Sequence, residues 1–183
     1  MKKVILYLRS RRQKINLWLI FIVAMCCFCT MTLTAQSIEQ LVGHWQLQKV
    51  GLKKTIVQNS ENEREALLDI FKTGFYNQLT EEQKLTVEDL EFTNSEAEKL
   101  LDYYFQTTIE FKTTGAFYNT SQNPVKSLSG EYLLDKKKLH LEWETAEKKS
   151  FKIAKNSNSE LILKDTKLKI TYYYLKINPI KIP

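Results

Sequence analysis

From Thr107 onward, apolar residues recur at every second position and short polar turns interrupt the pattern. Ile109 and Phe111, for example, alternate with Glu110 and Lys112. A period of two is typical of strands with one buried face and one solvated face. The predicted strands are residues 109–111, 116–119, 128–134, 138–144, 150–154, 160–164 and 167–177.

One further strand precedes these seven, because residues 41–50 set Val42 and His44 against Trp45 and Leu47 in a loose alternation. The short turns between the later strands favour antiparallel pairing of sequence neighbours. A meander of eight strands can close on itself. The sequence therefore predicts a mainly β fold, an eight-stranded antiparallel up-and-down barrel.

A helical insert separates the first predicted strand from the second. Residues 60–105 contain few β-branched residues, and Leu67, Leu68, Phe71, Phe75 and Leu79 follow helical spacing. This spacing predicts a helix in the first part of the insert.

Two signals for the start of a helix follow within the insert. Thr80 to Gln83 reads Thr-Glu-Glu-Gln, a capping box that satisfies free backbone N–H groups at a helix start. The other signal is Asn94 or Ser95, ahead of a second apolar run. We expect two helices in the insert, and a short third one around residues 81–89.

The first 35 residues have the pattern of a signal peptide: six basic residues and no acidic residue, an apolar run, and a polar stretch ending at Ala35. We expect cleavage after Ala35, which leaves one domain over residues 36–183 in the periplasm, the cell envelope or the medium. The alternative is an uncleaved anchor, because Ile15 to Leu33 could nearly span a bilayer. Membrane contact is then expected through this segment.

The net charge of +6 belongs to this leader, since the mature chain has 21 basic and 21 acidic residues. A neutral domain does not favour nucleic acid as a partner. Cys26, Cys27 and Cys29 also lie in the leader. We therefore expect no disulfide framework, no Cys-based metal site and no cofactor in the mature protein.

Gly43-His44-Trp45, at the start of the first strand, resembles the Gly-x-Trp signature of lipocalins. The hairpin at 108–117 and the strands at 130–134 and 139–143 are similar to small secreted lipocalin-like domains of Bacteroidota. The resemblance covers about residues 41–50 and 107–177. It implies a calycin-like barrel that binds a small hydrophobic or amphipathic molecule.

The chain departs from the lipocalin pattern at one charged position. Lipocalins place an arginine over the first-strand tryptophan, but Arg64 is the only arginine after the leader and lies in the helical insert. Lys169 or Lys176 could replace it through a cation–π contact with Trp45.

Aromatic residues are the candidate ligand-binding walls, because they offer a large contact area and a polar edge. An eight-stranded barrel either is filled by its own side chains or holds one small ligand, so a filled core is the alternative. The candidates are Trp45, Tyr132, Trp143, Tyr172 and Tyr174.

The insert is acidic, with 12 acidic and 4 basic residues, so the rest of the mature chain carries the opposite charge. One interpretation is a lid that docks on a basic barrel. A second is that the basic barrel face attracts an anionic partner. A third is that both surfaces are simply solvated.

Polar clusters give little support for catalysis or metal binding. His140, Glu142 and Glu144 share one strand face, but same-face neighbours lie ~6.6 to 6.8 Å apart, so a solvated outer face is expected. No common catalytic motif occurs in the mature chain.

We expect a non-enzymatic binder of a small hydrophobic or amphipathic molecule. The alternative is an envelope interaction protein with a solid barrel, which docks through its insert or its basic face.

Overall fold

The computed structural model describes residues 38–122 and 125–178, so the predicted leader and its cleavage site lie outside the described residues. Nine strands form one sheet in the described part of the chain. They are β1 (Gly43–Leu52), β2 (Thr55–Gln58), β3 (Thr108–Phe111), β4 (Ala116–Gln122), β5 (Val125–Asp135), β6 (Lys138–Trp143), β7 (Lys148–Asn156), β8 (Glu160–Asp165) and β9 (Ile170–Ile177).

Strand β1 closes the sheet into a barrel, because it pairs antiparallel with β9 on one edge and with β3 on the other. From β3 to β9, each strand pairs with its sequence neighbour. The predicted eight-stranded antiparallel up-and-down barrel is therefore confirmed. We call the end where β1 ends and β9 begins the mouth, and the end where β1 begins the closed end.

Strand β2 was not predicted from the sequence. It pairs with the last four residues of β1, from Lys49 to Leu52, beyond the part that pairs with β3. The turn between β1 and β2 has Lys53 in the left-handed region, with φ 57. Glycine or asparagine usually marks such a turn. A lysine gives no such signal, so the sequence pattern does not predict the hairpin of β1 and β2.

The last strand begins later than predicted. We expected it at residue 167, but residues 166–168 form a turn and β9 starts at Ile170. The side chain of Asp165 accepts hydrogen bonds from the backbone N–H groups of Lys167 and Leu168, at 2.8 and 2.9 Å. This local bonding holds the two residues in the turn.

The insert contains two α-helices, α1 (Arg64–Tyr76) and α2 (Val87–Tyr104), with short 3-10 turns at Glu61–Glu63 and Gln83–Leu85. The predicted capping box forms. Thr80 N–H donates to Gln83 Oε1 at 3.0 Å, and Gln83 N–H donates to Thr80 Oγ1 at 3.3 Å. It starts a 3-10 turn instead of the short helix expected at 81–89.

Helix α2 begins at Val87, so the predicted start at Asn94 or Ser95 was wrong. Its buried stripe runs through Thr93, Ala97 and Leu101. Asn94 and Ser95 lie on the exposed face, and helical packing continues past them. Among the described residues, no helix has the length and apolar character needed to cross a membrane.

The barrel interior is filled toward the closed end. Five large side chains there have under 2% of their surface exposed: Trp45, Phe111, Phe117, Leu139 and Leu161. Phe111 and Phe117 lie 6.4 Å apart between ring centroids. Interdigitated aromatic and aliphatic side chains of this kind give protein interiors their density. This half of the barrel is a solid core.

Trp45 forms a compact unit with the segment before β1 and the end of β9. Its indole N–H donates to the Leu41 carbonyl at 2.7 Å, and Lys176 Nζ lies 5.1 Å from the ring centroid. A Cβ on Gly43 would lie 2.6 Å from Lys176 Cε. Glycine in the Gly-x-Trp sequence thus leaves room for the lysine. Lys176, one of the two expected substitutes, occupies the position over the tryptophan.

We predict that Lys176→Met lowers the free energy of unfolding by about 1 kcal/mol, because the cation–π contact with Trp45 is lost. Lys169→Met is the matched control, since Lys169 is exposed at the other end of β9. Its effect should stay within roughly 0.5 kcal/mol. Urea unfolding followed by tryptophan fluorescence measures both. Equal effects for the two variants would contradict the stabilising role of Lys176.

Candidate functional site

A cleft of 780 Å³ lies between helix α2 and the mouth of the barrel. Helix α2 provides Leu100, Tyr103 and Tyr104 to one wall. The barrel provides the opposite wall, through strands β4 to β8 and the turns that join β6 to β7 and β8 to β9. The barrel residues used below are Asn119, Ser121, Leu128, Trp143, Lys149 and Asp165.

Aromatic contacts hold α2 over the mouth. The ring of Tyr103 packs edge-on against Trp143, with centroids 5.8 Å apart. The neighbouring Tyr104 packs against Tyr172 of β9 at 4.5 Å. Helix α1 also approaches β9 closely, since a Cβ on Gly74 would lie 2.8 Å from Ile170 Cδ1. The insert therefore packs as part of the core.

The ion pairs of the insert do not reach the barrel in the described part of the chain. In residues 38–122 and 125–178, the ion pairs of the insert are internal, such as Arg64 with Asp102 at 3.3 Å and Lys99 with Glu96 at 2.6 Å. Helix α2 lies against the barrel mouth, and that the insert acts as a lid stays a prediction. The physical basis of the helix position is aromatic packing, supplemented by the contact of Lys149 with the Tyr104 ring at 5.2 Å.

Asn59 anchors the base of the insert. Its Nδ2 donates to the carbonyl oxygens of Leu47 and Tyr104, at 3.0 and 3.1 Å. Its Oδ1 accepts a hydrogen bond from Gln106 N–H at 3.3 Å. One side chain thus ties β1 to the end of α2 and to the residue that leads into β3.

Trp143 is the one of the five predicted wall residues that lines this cleft. Trp45 lies at the closed end, as described above. Tyr172 and Tyr174 are buried in the barrel, at 0% and 5% exposure. Tyr132 is half-buried, and its hydroxyl donates to the Lys112 carbonyl at 2.7 Å. Whether any of these residues binds a ligand stays a prediction.

The cleft residues that were not predicted had a signal in the sequence. Lys149 is in phase with Phe151 and Ile153 along β7, and Asp165 is in phase with Leu163 along β8. Strand alternation places residues two apart on the same face. A charged residue on an apolar stripe is therefore expected to point inward, and this phase signals Lys149 and Asp165 as interior groups.

A polar network crosses the cleft wall at Tyr103. Trp143 Nε1–H donates to the Tyr103 hydroxyl at 3.0 Å, and the Asn119 side chain hydrogen-bonds the same hydroxyl. Burial raises the pKa of Tyr103 far above its usual range. The tyrosine is therefore a neutral hydrogen-bonding group that positions the indole ring.

Lys149 and Asp165 form a buried ion pair at the inner end of the cleft. Their side chains are 18% and 5% exposed, and Lys149 Nζ lies 3.4 Å from Asp165 Oδ2. Phe151 and Tyr172 lie 5.5 and 5.9 Å from the ammonium. Burial lowers the pKa of Lys149, and the carboxylate of Asp165 opposes this shift without cancelling it.

Ser121 adds one unsatisfied group to the wall. Its Oγ is buried and has no hydrogen-bond partner among the described residues. A buried hydroxyl without a partner costs free energy unless water or a ligand satisfies it. The cleft thus combines apolar and aromatic walls with a small number of polar groups.

The three residues considered for a metal site engage different neighbours on the outer barrel surface. His140 Nδ1 lies 2.7 Å from Ser150 Oγ, Glu142 pairs with Lys148 at 2.8 Å, and Glu144 accepts from Ser129. Within the described ranges, no group of three or more His, Cys, Asp or Glu side chains could hold a metal ion.

No protein-family model matches the chain, and no curated protein is significantly similar to it in sequence. A solved lipocalin-like protein from Bacteroides uniformis is similar at 13% identity, with a TM-score of 0.45, over 75% of this chain and 99% of that one. An uncharacterized protein from Bacteroides eggerthii is similar at 12% identity, with a TM-score of 0.45 and the same coverage. A duf4847 family protein from Bacteroides vulgatus is similar at 12% identity, with a TM-score of 0.37, over 75% and 96%.

The closed antiparallel barrel is the fold that the resemblance to lipocalins implies. Identities this low carry no function from one protein to another. The function has to be argued from the cleft.

We predict that Asn59→Ala lowers the free energy of unfolding by about 2 to 4 kcal/mol, since it removes three hydrogen bonds and leaves backbone groups unpaired. Asn62→Ala is the matched control, because Asn62 is exposed on the adjacent 3-10 turn. Its cost should be within roughly 0.5 kcal/mol. Hydrogen exchange adds a local readout, in which the Asn59 variant loses protection in α2 before the barrel strands. Protection lost evenly over the domain would contradict the anchoring role.

Proposed function

We propose that this protein is a non-enzymatic binder of a small amphipathic molecule, which it holds in the cleft between α2 and the barrel mouth. The observation that carries the proposal is the cleft itself, at 780 Å³. Ligand pockets commonly measure about 300 to 1,000 Å³ and combine apolar walls with a few polar groups. The site is therefore of a size and composition that suits one such molecule.

The composition of the cleft walls favours an amphipathic ligand over a fully polar one. Leu100, Leu128 and Trp143 provide apolar contact surface, while Lys149 and Ser121 provide polar groups. The solid core toward the closed end excludes a ligand from that half of the barrel. The proposal therefore places the ligand in the mouth, beneath the insert, where Trp143 is the one predicted wall residue that lines the cleft.

Export is part of the proposal. The basic and apolar leader over residues 1–35 supports secretion across a membrane. In that setting, a covered cleft can carry a poorly soluble molecule through an aqueous compartment. The insert shields the apolar part of the ligand from water.

We predict that Leu128→Trp weakens binding of an anilinonaphthalene sulfonate dye by about tenfold or more, equal to ~1.4 kcal/mol, because the larger side chain occupies the cleft. Leu133→Trp is the matched control, since Leu133 lies on the same strand but is 66% exposed. Fluorescence titration should give one dye per chain and an unchanged affinity in the control. Equal weakening in both variants, or binding of several dyes per chain, would count against the cleft.

A second function is favoured by exposed apolar side chains on the insert. Leu85, Val87 and Phe92 lie around the start of α2 and are 86%, 71% and 61% exposed. Exposed apolar surface often marks protein interaction sites. These side chains support the alternative of an envelope interaction protein that docks through its insert.

This second function predicts a discrete crosslink from the insert. A photoreactive amino acid at position 92, activated in the native envelope, should give one protein adduct of defined mass. The same group at position 133, which has similar exposure on the barrel, should give none. An uncrosslinked chain at both positions would remove the support for docking through the insert.

A further inference from the structure

Lys149 is a charged side chain of the barrel that lies at the inner end of the cleft, beside Asp165. It lines the cleft, and the rings of Tyr104, Phe151 and Tyr172 lie 5.2 to 5.9 Å from its ammonium. A buried lysine is costly, because its charged form loses hydration. A lysine in this position therefore requires a specific explanation.

An ion pair with Asp165 that only stabilises the fold does not fully explain why a lysine lies at this position. Asp165 already receives two backbone hydrogen bonds through Oδ1, so its charge does not depend on the lysine alone. Lysine has three N–H donors, and among the described residues Asp165 is the acceptor offered to it, at 3.4 Å. One carboxylate oxygen does not occupy all three donors, and Lys149 lines a cleft large enough for a ligand.

We propose that Lys149 forms an imine with an amphipathic aldehyde held in the cleft. This inference rests on the proposed binding function and adds the chemical class of the ligand. A lysine in a desolvated pocket is the usual amine for this chemistry, since a larger share of it is uncharged at neutral pH.

The reaction balances without an oxidant or reductant. The neutral amine of Lys149 adds to the carbonyl carbon and forms a carbinolamine. Loss of one water then gives the C=N bond, and the nitrogen loses both of its hydrogens in the process. When the imine is protonated, Asp165 Oδ2 is positioned as its counter-ion.

The groups around the amine come from several elements. Asp165 of β8 and Glu147 of the β6–β7 turn favour the charged lysine. Tyr104 of α2 and Tyr172 of β9 are neutral, because burial raises the pKa of each hydroxyl. Burial of Lys149 outweighs the two carboxylates, and its pKa is lowered. Its reactivity should therefore extend to lower pH than that of exposed lysines.

The test is reductive trapping of nonanal with cyanoborohydride on the intact domain, followed by peptide mapping. Lys152 is the internal comparator, since it lies on the same strand, is exposed and does not line the cleft. We expect trapping at Lys149 to be faster by about tenfold or more, because the cleft holds the aldehyde against the amine. Labelling that follows exposure, with Lys152 ahead of Lys149, would overturn the inference.

Two further measurements keep the inference separate from the proposed function. Lys149→Arg should lose the fast adduct, because a guanidinium group does not form the imine, whereas Lys152→Arg should keep it. If the unmodified protein binds the dye but shows no preferred adduct, the imine is wrong and the binding function stands. If it binds neither the dye nor the aldehyde, both are wrong.

Discussion

Closure of the barrel through β1 is the constraint on which the rest of the structure depends. One edge of β1 pairs with β9 along its length, while the other edge is divided between β3 and β2. The insert leaves from β2 and returns to β3, so both of its ends are attached to the same edge of β1. Asn59 ties these two ends together. The helices are therefore held over the mouth, and the cleft exists because they cover it without filling it.

The two halves of the barrel have different chemistry. Toward the closed end, large side chains such as Phe111 and Phe117 fill the interior, so this half is packed by the protein's own side chains. Toward the mouth, the inward positions include Asn119, Ser121 and Lys149. Polar groups at buried positions cost stability. Their concentration on one cleft wall, next to aromatic rings, is the arrangement expected of a binding site.

The fold could be predicted from the sequence because strand alternation and turn residues are local signals. The eight barrel strands and the helical insert followed from them, whereas β2 was missed because Lys53 occupies a turn position that lysine rarely adopts. The site was harder to predict. It depends on how α2 packs against the mouth, and no local pattern reports that packing. The phase of Lys149 and Asp165 along their strands is a local signal for an inward side chain, but neither residue was among the predicted site residues.

Native mass spectrometry of the mature protein isolated from its own envelope tests the central claim most directly. Denaturing extraction of the same sample then identifies any small molecule that was bound. The account predicts one amphipathic molecule per chain, which is released when the domain unfolds. A chain that carries no molecule when isolated under native conditions would contradict the account, and would favour docking through the insert instead.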